Sequence, residues 1–130
     1  MQRLIPVLFL ICSMNLYAAS LEQSDTQLIE AAGVPLFSTA TFVTGNKDIG
    51  FRFATSTPTA DVRQWYREQL PDWSLYAEYG GWILYEGNPG LGMGEVMSKN
   101  QINVQHNDKL PEWHALDSKV TTEIVIMIVE

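Results

Sequence analysis

Cysteine is almost absent from this sequence. Cys12 is the only one among 130 residues, and it lies in an N-terminal segment that we expect to be removed. The remaining chain therefore offers no disulfide, no thiol nucleophile and no thiolate metal ligand. Without disulfides the fold must be stabilised by an apolar core, and residues 19–130 are numerous enough to form one.

The apolar run at the N-terminus is too short for a usual transmembrane span. Arg3 precedes residues 4–14, which are apolar except for Ser13, and small residues follow. This pattern is typical of a secretory signal peptide. We predict cleavage after Ala18, which gives a signal peptide (residues 1–18) and a single periplasmic or secreted domain without stable membrane insertion. An uncleaved N-terminal anchor is the alternative.

Cationic side chains are few. Eight lysine and arginine residues stand against fifteen aspartate and glutamate residues, for a formal net charge of −7, which becomes −8 when Arg3 is lost. Such a charge argues against nucleic acid or anionic lipid as a partner. The carboxylates are spread along the chain, which indicates a solvated surface rather than an acidic tail.

Several catalytic motifs are missing. No Gly-x-Ser-x-Gly nucleophile elbow occurs. The glycine-rich residues 90–94 are not followed by Gly-Lys-Ser/Thr, and we predict no helix after them that would offer N–H groups to a phosphate. The sequence therefore predicts no nucleotide site and no cofactor.

The clearest element that is present is a helix over about residues 58–70. Thr57 is suited to cap its N-terminus, and Pro58 is suited to its first position. Apolar and aromatic side chains recur at helical spacing, so we expect Tyr66 and Leu70 to face a sheet.

A short N-terminal helix is predicted over about residues 25–32. Ser24 and Gln27 fit a capping box at its start, and Gly33 fits its C-terminal end. Six segments have strand character: about residues 41–44, 49–55, 73–79, 82–86, 101–106 and 120–129.

The order is therefore helix, two strands, helix and four strands. This order predicts an α+β fold in which an antiparallel sheet of about five or six strands carries the main helix on one face. Gly80 and Gly81 are expected to form a two-residue hairpin turn, because glycine tolerates positive φ.

The last strand is apolar on both of its faces between residues 124 and 129. A strand of this kind is usually central in a sheet that is covered on both sides. We expect the main helix to cover one side and the N-terminal helix, through Leu28, Ile29 and Ala32, to cover the other. The alternative cover is a second molecule, which would make the protein a homodimer through the last strand.

A pattern within about residues 33–82 resembles small exported bacterial α+β domains of unknown function. It is a Val-Pro-Leu segment, a strand, a helix with an aromatic-Tyr-Arg sequence and a nearby tryptophan. The matching positions are Val34-Pro35-Leu36, Ala40, Thr55-Ser56, Val62, Trp65-Tyr66-Arg67, Leu70 and Trp73. The resemblance implies export and this fold, and it implies no activity.

Two imidazoles and two carboxylates lie close together near the C-terminus. His106, Asp108, Glu112 and His114 are ligand types that hold zinc or another divalent ion. Their spacing matches no known metal signature, and we predict a polar loop over residues 107–118 with no helix to make them converge. A solvated acidic loop is the simpler interpretation, and a hydrolase or metal-dependent enzyme is the alternative function.

Aromatic residues are numerous for a small domain. Trp82, Tyr85 and Trp113 are candidates for an exposed aromatic surface that binds a glycan or a peptide, although such rings usually belong to a core. We therefore expect a non-enzymatic exported domain that binds an envelope protein or glycan, as a monomer or a homodimer.

Overall fold

The structure is a computed structural model, and it describes residues 20–129. The predicted signal peptide lies outside the described residues, so its cleavage stays a prediction. Within residues 20–129 no helix is long and apolar enough to cross a membrane. The described elements are α1 (Gln23–Ala31), β1 (Thr41–Asn46), β2 (Gly50–Thr55), α2 (Thr59–Gln69), β3 (Ser74–Tyr76), β4 (Ile83–Tyr85), α3 (Met93–Val96), β5 (Gln101–His106), α4 (Leu110–His114) and β6 (Thr122–Met127).

The six strands form one antiparallel sheet in the order β1-β2-β6-β5-β4-β3. The predicted α+β fold is confirmed. The C-terminal strand β6 is bonded on both sides, to β2 and to β5, as its two apolar faces predicted. A homodimer through this strand could therefore only form by contact between sheet faces, because β6 has no free edge.

The main helix α2 packs on one face of the sheet. Val62, Tyr66 and Leu70 point into a core cluster with the inward side chains of β2, β4, β5 and β6. The prediction that Tyr66 and Leu70 face the sheet is confirmed. Trp65 lies at the edge of this core and makes an edge-to-face contact with Phe37, with ring centroids 5.1 Å apart.

The N-terminal helix α1 lies on the same side as α2, because Ile29 is fully buried in the same cluster. The helix ends in a Schellman motif: Gly33 has φ 78°, its N–H donates to Glu30, and the Val34 N–H donates to Ile29. Val34 is itself buried in this cluster and holds the end of α1 there. The expectation that α1 covers the opposite face is therefore wrong.

The opposite face of the sheet is covered at one end. Tyr76, Ile83 and Tyr85 pack there against Leu91 and Val96, which belong to the segment between β4 and β5. This segment contains α3, so the expectation that no helix follows the glycine-rich residues is wrong. The helix has only four residues, and its first turn carries the acidic Glu95.

Both predicted N-caps are wrong. The helix α1 begins at Gln23 after Glu22, so Ser24 lies inside it. The helix α2 has Pro58 as its N-cap without a side-chain hydrogen bond. Instead of capping α2, the hydroxyl of Thr57 lies 3.2 Å from the hydroxyl of Thr39 and is also bonded by Thr55.

The hairpin between β3 and β4 turns one residue earlier than predicted. Tyr79 and Gly80 have φ of 55° and 79°, and the Gly81 N–H donates to the Glu78 carbonyl at 3.0 Å. Two central residues with positive φ are typical of a type I′ turn, whose twist suits a hairpin. Tyr79 therefore takes a left-handed conformation at the tip, where it is 96% exposed.

Candidate functional site

The face of the sheet opposite α2 is only partly covered, and this open face is the candidate functional site. Successive side chains of a strand point to opposite sides. On β6 the isoleucines at 124 and 126 are fully buried toward α2, whereas Val125 and Met127 lie on the open face and are half-buried. Because residues 124–129 are apolar on both faces of the strand, the sequence had already predicted that the side chains of Val125 and Met127 need cover.

A concavity of about 320 Å³ lies on the open face. It is lined by outward side chains of β2, β4, β5 and β6. Two exposed apolar residues stand among these lining residues: Ile49 just before β2, which is 68% exposed, and Met97 just after α3, which is 48% exposed. Apolar groups thus occur both on the central strand and in the flanking segments of the site.

The register of the strands places four lining residues in one row across the sheet. Arg52 on β2 is opposite Val125 on β6, Val125 is opposite Asn103 on β5, and Asn103 is opposite Ile83 on β4. A guanidinium and an amide therefore flank an apolar residue on the central strand.

Two acceptor atoms of the open face are buried without a regular hydrogen bond. Within residues 20–129 the Asn103 Oδ1 has no hydrogen-bond partner. The Glu123 Oε2 lies 3.0 Å from Nη1 of Arg52 as an ion pair, but without hydrogen-bond geometry. The Glu123 side chain is only 13% exposed. A buried acceptor left unbonded costs about 1–3 kcal/mol, and both atoms lie beneath the surface of the open face, out of reach of a partner.

Gly50 makes room for the two apolar residues of β6. A Cβ at this position would lie 3.1 Å from Cγ of Met127 and 3.2 Å from Cγ1 of Val125. Its φ of 95° also disfavours any other residue. A larger side chain at position 50 would therefore displace Val125 and Met127.

The wall beside Met97 is held by Gln101. The Gln101 side chain is buried, and its Nε2 donates to the carbonyl of Val96 at 2.9 Å and to that of Lys99 at 3.3 Å. The amide thus connects the end of α3 to β5, so this side of the site is preorganised before any partner binds.

The three predicted aromatic candidates are not brought together. Trp82 is buried in the α2-side core with the guanidinium of Arg63 over its ring, 5.5 Å from the centroid. Tyr85 is buried on the other face, and its hydroxyl donates to the Asn88 carbonyl at 2.7 Å. Trp113 lies on α4 and is 61% exposed. Of the three, only Trp113 offers a ring to a ligand.

The four predicted metal ligands are spread over three elements. His106 ends β5, Asp108 lies in the following turn, and Glu112 and His114 belong to α4, a one-turn helix where we expected only loop. In the described part of the chain no three His, Cys, Asp or Glu side chains form a group that could hold a metal ion. The structure therefore does not assemble these four residues into a site.

Sequence analysis missed Arg52, Asn103 and Glu123. Each alternates with buried neighbours along its strand, which indicates an outward position but no role. Their grouping depends on which strands are neighbours.

Comparison with family models, curated proteins and solved structures gives no match for this chain. The resemblance to small exported bacterial domains accordingly stays a prediction.

Proposed function

We propose that this chain is a non-enzymatic, exported domain, periplasmic or secreted, that binds a polypeptide on the open face of its sheet. One observation carries the proposal: half-buried Val125 and Met127 share a concavity of about 320 Å³ with the exposed apolar side chains of Ile49 and Met97. Apolar area surrounded by a few oriented polar groups is what a binding surface requires.

The composition of the concavity favours a polypeptide over a glycan. Among the described residues that line it there is no aromatic ring to stack on a sugar. It instead combines side-chain amides with Met97 and Met127, and methionine adapts its shape to irregular apolar surfaces of a partner. Side-chain amides such as those of Asn103 and Gln105 both donate and accept hydrogen bonds, as a polypeptide partner does.

The test is a photo-cross-linking amino acid placed at Met127 in cells that produce the full chain. We expect illumination to give a discrete polypeptide adduct, identified by mass spectrometry. The matched control carries the same amino acid at Met93, a more exposed methionine that does not line the concavity. If position 127 gives no adduct, or if position 93 gives the same adduct, the proposal is contradicted.

A further inference from the structure

We propose that the free edge of β1 is a second binding surface, where an extended, basic segment of a partner polypeptide adds a strand to the sheet. This edge is separate from the open face, so binding at either place does not depend on binding at the other. The unpaired backbone of β1 and the acidic concavity beside it carry this inference.

The backbone of β1 is bonded on one side only. The strand lies at one end of the sheet and pairs only with β2. An edge strand directs part of its N–H and C=O groups away from the sheet. Within residues 20–129, the strand Thr41–Asn46 makes no backbone–backbone hydrogen bond outside its pairing with β2. Its outward groups are therefore the ones that an added strand would bond.

The edge of β1 is long and lacks the most common protection. Its six residues include no charged side chain and no proline, which often prevent pairing at an edge. The other edge strand, β3, has only three residues. The register of β1 shifts between Phe42 and Thr44, which leaves Thr44–Asn46 as the longer regular stretch. An added strand would therefore pair along Thr44–Asn46.

A concavity of about 460 Å³ lies beside this stretch. Phe42 and Gly45 line it on the α2 side of the sheet, because they pair with Phe53 and Phe51 of the main core. A Cβ at Gly45 would overlap the carbonyl oxygen of Gly50, so no side chain at position 45 can fill this space. A residue of the added strand opposite Gly45 would instead direct its side chain into the concavity.

The start of α1 forms the other wall of this concavity and is acidic. Glu22 and Asp25 line it from α1, and Asp48 lines it from the turn after β1. Lys47 is the one cation among the described lining residues, so the carboxylates exceed the cations by two. This charge favours a lysine or arginine side chain of the partner. Pairing between the β1 edges of two copies would bring both sets of carboxylates together, which opposes a second copy as the partner.

The experiment measures, by calorimetry, the binding of a synthetic peptide of four Lys-Val repeats to the purified protein. We expect one peptide to bind per chain, because its extended backbone presents all lysines on one side. The same peptide N-methylated at every residue keeps the charge but cannot donate backbone hydrogen bonds, so its Kd should be at least about tenfold higher. A peptide of four Glu-Val repeats should not bind.

A pair of protein variants locates the site. Asp25→Asn should raise the Kd of the Lys-Val peptide by about two- to fivefold, the range for one exposed ion pair. The matched control is Asp72→Asn, which removes a carboxylate close to the other edge strand, β3, and should leave the Kd unchanged. Hydrogen exchange measured by NMR should show new protection of backbone N–H groups within Thr44–Asn46. Circular dichroism checks that both variants are folded.

Four results would overturn the inference. The Lys-Val peptide does not bind, or the N-methylated peptide binds equally well, which means that charge alone attracts it. The two aspartate variants have equal effects, or the new protection appears in β3 instead of β1. The cross-linker at Met127 reports on the open face alone, so its outcome tests the proposed function and leaves this inference unchanged.

Discussion

Trp82 and Tyr85 are only three residues apart, yet their rings lie on opposite sides of the sheet. Trp82 packs with Leu84 beneath α2, whereas Tyr85 packs with Ile83 beneath the segment that contains α3. The alternation of side chains along a strand requires this separation. These two rings therefore belong to two different cores, and the open face is built instead from amides, an ion pair and apolar groups.

The first prediction concerns the contact between α2 and the sheet. Leu70→Ala should lower the free energy of unfolding by about 2–5 kcal/mol, because Leu70 is buried in the main core and its loss leaves a cavity. Urea denaturation measures this change. Gln69→Ala is the control on the adjacent exposed position, where a change below about 0.5 kcal/mol is expected. Equal effects of the two variants would contradict the orientation of the helix.

The second prediction concerns the buried hydroxyl of Tyr66. The hydroxyl lies against the backbone of Phe37, and in residues 20–129 it has no hydrogen bond of regular geometry. Tyr66→Phe should therefore leave the stability near neutral pH unchanged or raise it, because no good hydrogen bond is lost. A loss of more than about 1 kcal/mol would mean that the hydroxyl is bonded after all.

The same residue predicts a dependence on pH. Burial raises the pKa of Tyr66 above its ordinary value of 10.0. The neutral phenol is thus favoured in the folded protein, and its contribution to stability is complete below pH 10 and is lost as pH rises further. Stability of the wild type should fall more steeply above pH 10 than that of Tyr66→Phe, as measured by urea denaturation in both proteins. Parallel curves would contradict the burial of this group.

The third prediction concerns the hairpin tip. Tyr79 is almost fully exposed and holds a positive φ that asparagine adopts more readily than tyrosine. Tyr79→Asn should raise the free energy of unfolding by about 0.5–1 kcal/mol, since it relieves strain and removes little packing. Thermal denaturation measures this change. Ala77→Asn, at another exposed position of this hairpin without positive φ, should give no gain in the free energy of unfolding.

The fourth prediction concerns metal. His106, Asp108, Glu112 and His114 are not assembled into one group, so calorimetry should detect no tight zinc binding to the purified protein. Sub-micromolar affinity that is lost in His106→Ala and in His114→Ala would contradict this and would favour the enzyme alternative.

The fifth prediction concerns export. The charged start, the apolar run and Ala18 predict removal of residues 1–18. Mass spectrometry of the protein recovered from the periplasm or the medium should find an N-terminus at Ala19. Recovery of a full-length, membrane-bound form would instead support the uncleaved anchor.

Much of the fold could be predicted from local patterns. The helical spacing around Tyr66 and Leu70 identified α2 and its buried side, because a period of 3.6 residues fixes which side chains share a face. Gly33 was correctly predicted to end α1, because few other residues adopt its φ readily. The N-cap of α2 was harder to predict from the sequence, because the hydroxyl of Thr57 could equally bond to Thr39, a residue distant in sequence.

The sequence by itself determined that β6 is central, because its side chains are apolar on both faces and such a strand needs cover on each. Only the tertiary structure decided what covers them. Val34 holds α1 on the same side as α2, and the segment around Val96 covers just one end of the other face. Likewise, alternation placed Arg52, Asn103 and Glu123 on outward positions, but strand order made them neighbours. Periodicity fixes the face of a residue within its own element, whereas contacts between elements depend on how the whole chain packs.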